Sequence, residues 1–204
     1  MIFSRGDMIF SRGDMIFSRG HFDDYSINES NIQKSINESM DILFFLQTDS
    51  ITVFLSHKHS DLEDLKGIIG LLQKYGVKPY IDSRDNRMPS ITSGETANII
   101  RKSIKKCNKF IFLATNDAIE SYWCNWELGF GDVHKYKKNI AILPMKEKNA
   151  SDKEYKGNEY LQIYPYIIYK MNSNICSDGY YVRDPFKNAN GKYSITPLKL
   201  WLEK

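Results

Sequence analysis

The sequence predicts an α/β protein: a parallel central sheet covered by helices on both faces. Two observations carry this. From Ile51 onward, short apolar runs alternate with segments whose apolar residues recur at helical spacing. Strand, helix, strand, helix, strand, helix, strand is the order that builds crossover connections and a parallel sheet. The runs are also continuously apolar, as strands buried on both faces require.

The elements follow in order. Ile51–Ser56 (ITVFLS) is the first strand. Ser60 and Glu63 have capping-box spacing, and Leu62, Leu65, Ile68, Ile69 and Leu72 continue as the buried stripe of a helix. Gly76 stands where a helix C-terminus needs a left-handed residue. Val77–Asp82 is the second strand; its Pro79 lacks an N–H, which points to an edge or a bulge. Ser83–Gly94 reads as a polar loop, and Ala97, Ile100, Ile104 and Cys107 mark the next helix. Lys109–Thr115 is the third and most apolar strand. Asn116 is a cap for a helix carrying Trp123, Glu127 and Val133, and Asn139–Met145 is the fourth strand. Residues 147–158 read as a loop, Tyr164–Lys170 and Tyr180–Arg183 as strands, and Ser194–Lys204 as a closing helix with Pro197 in its first turn.

The start of the chain is different. MIFSRG occurs at 1–6, 8–13 and 15–20, so three in-frame methionines precede three identical units. SINES occurs at 26–30 and again at 35–39, with a helix expected from about Ser30 to Gln47. Residues 1–49 are therefore read as an N-terminal extension and 50–204 as the domain.

The chain has 204 residues, 42% hydrophobic, 13% aromatic and 26% charged, which supports one core and excludes global disorder. A net charge of +3 is too small to argue for nucleic acid. The densest basic cluster, Arg101, Lys102, Lys105, Lys106 and Lys109, is read as a solvated helix face. Three cysteines without paired spacing give neither a disulfide framework nor a zinc site, and fit a reducing compartment. The longest apolar run near the start, Ile42–Leu46, falls far short of the roughly 20 residues a membrane helix needs. No secretory signal is apparent, so the expectation is a soluble cytoplasmic protein.

Ligands of open parallel sheets sit at the carboxyl ends of the strands. Those ends supply Ser56 and His57, then Asp82, Ser83 and Arg84, then Thr115 and Asn116. Beyond the third strand, Trp123 and Glu127 stand four apart and so share one helix face. An indole beside a carboxylate can stack on a flat base while the carboxylate binds ribose hydroxyls and stabilises positive charge at an anomeric carbon. Each residue also has an ordinary reading: a packed tryptophan, a solvated glutamate, an Asp82 that caps a turn, a buried inert Cys124. His57 and His59 lack acidic or cysteine partners, so no metal is expected. No Gly-rich phosphate loop and no nucleophile elbow occurs.

The combination is more specific. VFLSHKHSD at 53–61 resembles the first strand and loop of bacterial Toll/interleukin-1 receptor (TIR) domains, commonly F-I-S-(H/Y)-x-x-x-D. YIDSRDNRMPSITSGE at 80–95 resembles their second strand and long loop, and FIFLATNDAIESYWCNWEL at 110–128 their third strand and S-x-W-C-x-x-E-L motif. Trp123 and Glu127 match the W-x-x-x-E pattern of the enzymatic bacterial branch, and NIAILPM at 139–145 resembles the fourth strand. The likeness covers 51–145 well and 146–204 loosely. The positions around Pro89 depart from the family, and the tyrosine-rich stretch from Tyr155 to Tyr181 has no counterpart in it.

The resemblance implies a flavodoxin-like TIR fold over 50–204. It implies that Glu127 is the catalytic residue cleaving the nicotinamide–ribose bond of NAD, to ADP-ribose or to a cyclic or modified ADP-ribose. Phe54, Ser56, His57, Asp82, Arg84, Tyr122 and Trp123 are the accompanying substrate-binding candidates. NAD enters as substrate and no resident cofactor is expected. The family also implies TIR–TIR self-association through the long second loop. A Thoeris-like antiphage role follows, in which a separate effector responds to the nucleotide product. The rivals are a non-catalytic TIR adaptor and a nucleoside deoxyribosyltransferase-like enzyme. A response-regulator receiver is disfavoured because Ser56-His57-Lys58, and no acidic pair, ends the first strand.

Overall fold

The structure, a computed structural model, describes residues 16–45, 49–171 and 177–204. The first two MIFSRG copies and Cys176 lie outside the described residues. In chain order the elements are β1 (Phe17–Ser18), α1 (Glu29–Phe44), β2 (Thr52–Ser56), α2 (Leu62–Lys74), β3 (Lys78–Tyr80), α3 (Gly94–Lys106) and β4 (Lys109–Ala114). They continue with α4 (Asn116–Ile119), α5 (Tyr122–His134), β5 (Ile140–Lys146), β6 (Tyr166–Lys170), β7 (Gly179–Lys187), β8 (Tyr193–Pro197) and α6 (Leu198–Glu203). The sheet runs β3-β2-β4-β5-β6-β7-β8. It is parallel from β3 to β6 and antiparallel from there to β8.

The expected architecture is thus present. The chain reverses direction across the sheet at β2, the doubly wound arrangement of flavodoxin-like folds. Crossovers are right-handed, so stepping from β2 out to β3 puts α2 over one face, and stepping back to β4 puts α3 over the other. α5 packs beside α3 and over β2 and β4. Below the carboxyl ends, Phe54 and Phe110 stack at 5.4 Å with Tyr80 alongside, all fully buried.

Local chemistry explains where expectation and structure differ. Pro79 does lie on the edge strand, and the edge is covered: the buried Ser39 hydroxyl of α1 stands 2.6 Å from the Pro79 carbonyl. Gly76 ends α2 with φ +78°, as expected. The start of α2 is organised by Asp61 and not by Ser60: the Asp61 carboxylate accepts from the Lys58 backbone N–H at 3.2 Å and closes a short 3-10 turn. One helix expected after β4 is two, capped by the side chains of Thr115 and Ser121, which bind the N–H groups of Ala118 and Cys124. Ser194–Pro197 belongs to β8, leaving α6 only six residues. In the basic cluster, Lys109 is not on a solvated helix face. It starts β4, is 3% exposed, and donates to Asn139 at 2.6 Å.

The described part of the N-terminal extension packs on the domain. The third MIFSRG copy supplies β1, which pairs in parallel with the end of β5, Phe17 opposite Met145. Ile16, Phe17 and Phe22 are buried. Gly67 and Gly70 of α2 permit this docking. A Cβ at Gly67 would lie 2.2 Å from the Phe22 carbonyl oxygen, and one at Gly70 1.9 Å from that of Tyr25. The first SINES copy caps α1, with the Asn28 side chain accepting from the Asn31 N–H. The second lies inside α1 with Ser35, Ile36 and Ser39 buried. No helix among the described residues is long and apolar enough to cross a membrane.

Candidate active site

Glu127 sits midway along α5, 2% exposed. Ser121 fixes the start of this helix, and Gly131 lets it settle close against the Phe110 ring. That placement brings the Glu127 carboxylate over the carboxyl end of β2. The Ser56 hydroxyl, the last group of β2, donates to Glu127 Oε2 at 2.6 Å. Burial pushes the Glu127 carboxyl well above the usual carboxylate range. The nearby charge of Asp82 adds to the rise, while hydrogen bonds from Ser56 and the Trp123 indole oppose it. A buried carboxylate facing a second acid at the mouth of a doubly wound sheet is the kind of perturbed group that marks functional sites.

His57 closes one side. Its Nδ1 lies 3.1 Å from the Leu55 carbonyl oxygen and its Nε2 3.1 Å from the Ser83 hydroxyl. A neutral ring donating from Nδ1 and accepting at Nε2 satisfies both contacts. Asp82 Oδ1 is 3.9 Å from Nδ1, so strand ends β2 and β3 meet here. Cys124 donates through Sγ to the His57 carbonyl at 3.3 Å. Its thiol is pushed up to about 12, first by burial, and is inert at neutral pH.

The structure therefore gathers Ser56, His57, Asp82, Trp123 and Glu127 around one point. Trp123 is partly buried, its ring 5.0 Å from that of Trp126. The other three candidates lie elsewhere. Phe54 shares the face of Ser56 but is two residues deeper, enclosed by Phe110 and Tyr80. Tyr122 is 95% exposed, one residue round the helix from Trp123. Arg84 pairs with Glu29 of α1 at 3.1 Å.

Sequence reasoning passed over the layer behind the site. Asp61, fully buried, accepts from the Thr115 hydroxyl at 2.9 Å and from Arg19 at 2.7 Å. Arg19 also binds Asp64, and Glu147 at 2.8 Å. The final D of VFLSHKHSD was the available signal for Asp61; nothing in the repeat announced Arg19. Among the described residues no cluster of histidine, cysteine and acidic side chains has the makings of a metal site.

A doubly wound sheet with a buried glutamate paired to the serine that ends its first central strand defines the class. Residues 53–168 match the TIR domain family, and the chain belongs to that family. It is 35% identical over 117 residues to the probable 3' cyclic ADP-D-ribose synthase ThsB' of Bacillus cereus (strain MSX-D12), covering 56% of this chain and 59% of that protein. It is 28% identical over 81 residues to the putative cyclic ADP-D-ribose synthase TIR2 of Cytobacillus dafuensis, covering 38% of this chain and 21% of that one. The matches thus span less than two thirds of either relative's length.

Proposed function

We propose that this TIR domain cleaves the nicotinamide–ribose bond of NAD and closes the remaining ADP-ribose into a cyclic product. The observation that carries the reading is Glu127: buried, bonded to Ser56 and beside Trp123, in a chain whose relatives are named cyclic ADP-D-ribose synthases.

The chemistry follows from the charge changes. The bond between the pyridinium nitrogen and the ribose anomeric carbon breaks, and its electron pair leaves with nicotinamide as a neutral base, so no strong acid is needed. Positive charge then moves to the sugar. The ionised Glu127 carboxylate stabilises it and accepts from the ribose hydroxyls. Ser56 holds that carboxylate in place, and Trp123 supplies a face for a planar ring. A nucleophile of the same ADP-ribose attacks the anomeric carbon. If it is a hydroxyl, its proton passes to Glu127 and on to solvent. Ring closure wins over hydrolysis where the bound nucleotide itself keeps water from the anomeric carbon.

The product serves as a diffusible signal to a separate effector in cytoplasmic antiviral defence, and activity depends on association between TIR domains. The test is incubation of the purified chain with NAD at low and high protein concentration, products separated by mass and chromatography. Nicotinamide plus a cyclic ADP-ribose is the expected result. Plain ADP-ribose would replace the cyclase by a hydrolase, and no nicotinamide at any concentration would leave an interaction module.

A further inference from the structure

A second cavity lies apart from the crevice. It has a volume of about 370 Å³ and sits over β5 and β6, beneath the 155–163 segment and beside the β7–β8 turn. That volume falls within the range of small-molecule sites. Ile142 and Tyr166 line it, and they continue the row Ser56–Phe112–Ile142–Tyr166 across the sheet. Strands are spaced about 4.8 Å, so Ile142 stands roughly 10 Å from Ser56. α5 lies over β2 and β4, between the two sites.

The walls have a definite chemistry. Ile142, Pro144 and Leu161 form an aliphatic floor, and the rings of Tyr155, Tyr166, Phe186 and Tyr193 form the sides. The Tyr155 hydroxyl is buried and has no hydrogen-bond partner among the described residues. A guest that reaches this hydroxyl supplies a hydrogen bond that no described residue makes. Glu159 and Gln162 add polar groups at the rim, and among the described residues neither lysine nor arginine lines the space. Arg183 stands behind, its guanidinium 3.7 Å from the centre of the Tyr193 ring. The carboxylate at the rim and the cation behind the wall offset one another, so the space favours neither sign of charge.

We infer that this cavity is a binding site for an uncharged planar heteroaromatic, of nucleobase, nucleoside or nicotinamide type, whose ring stacks between the aromatic walls and whose polar edge bonds the Tyr155 hydroxyl. The site is separate from Glu127, so it stands whether or not the chain cleaves NAD.

Calorimetric titration of the full chain with nicotinamide, adenine and adenosine, and with ADP-ribose as the anionic control, tests it. At least one uncharged probe should bind wild type and Glu127→Gln equally. Its affinity should fall about tenfold in Tyr155→Phe and be lost in Leu161→Trp, which fills the floor. Phe186→Ala, on the 60% exposed wall, should weaken binding with unchanged thermal stability, and it keeps the test decisive should the tryptophan variant misfold. The share of ADP-ribose binding that the cavity variants remove should be at least tenfold weaker than that of adenosine. Binding that is lost in Glu127→Gln, binding indifferent to the cavity variants, or no binding of any uncharged probe at millimolar concentration would overturn the assignment.

Discussion

At the scale of single residues, the Glu127 carboxyl makes opposing demands on stability and activity. Burial favours its acid form, so the native state holds a proton that the unfolded chain has released above the ordinary carboxylate range. Stability from this source is complete at low pH and is lost as pH rises towards the elevated native pKa. Glu127→Gln should therefore melt higher than wild type at pH 8 and together with it near pH 4, each kcal/mol recovered adding about 2–4 °C. Equal melting at both pH values would show that the carboxyl is not strained by burial. The proposed chemistry needs the ionised form, so the acid limb of the NAD-cleavage profile should lie above the usual carboxylate range. Ser56→Ala removes a bond that favours ionisation and should move that limb to higher pH; Asp82→Asn removes a repelling charge and should move it lower. Limbs that do not move in opposite directions would separate the limb from Glu127. That Ser56, Trp123 and Glu127 lie together was legible in the sequence, because spacing on a strand end and on one helix turn fixes direction. It misplaced Phe54, since strand alternation gives the face and not the depth. It misplaced Arg84 because its partner, Glu29, lies in a segment whose role the sequence left open.

At the scale of elements, the strands and helices from Ile51 to Met145 were legible from apolar runs, glycine and proline. What was not legible depended on tertiary partners. The IFSRG peptide, legible in the sequence only as a repeat, becomes β1 because β5 offers an edge near Met145, and because α2 carries two glycines where backbone must approach. Gly70→Ala should undock residues 16–25. A single methyl would expose β1 to limited proteolysis and lower stability by several kcal/mol, since the atom it meets is main-chain oxygen. A fully protected, unaltered Gly70→Ala protein would show that the segment does not rest on α2. Arg19→Ala should cost about 3 kcal/mol in denaturant unfolding, because it removes the cation from the buried Asp61 carboxylate. A loss under 1 kcal/mol would reduce Arg19 to a surface pair.

At the scale of the whole molecule, the Glu127 carboxylate is closed off, so the proposed cleavage of NAD requires movement of the surrounding groups. The loop between β3 and α3 borders Asp82 and carries Ile91, 79% exposed. The proposed self-association through this loop predicts a specific activity that rises with protein concentration. Ile91→Asp should flatten that rise while leaving the melting temperature unchanged, and a concentration-independent wild type would remove association from the account. The most direct test of the central claim is nicotinamide release from NAD by wild type and by Glu127→Gln, side by side at high protein concentration, with folding verified by melting. The account predicts measurable release by wild type and a fall of about 10²-fold or more in the variant. Equal release by a folded Glu127→Gln protein would contradict it.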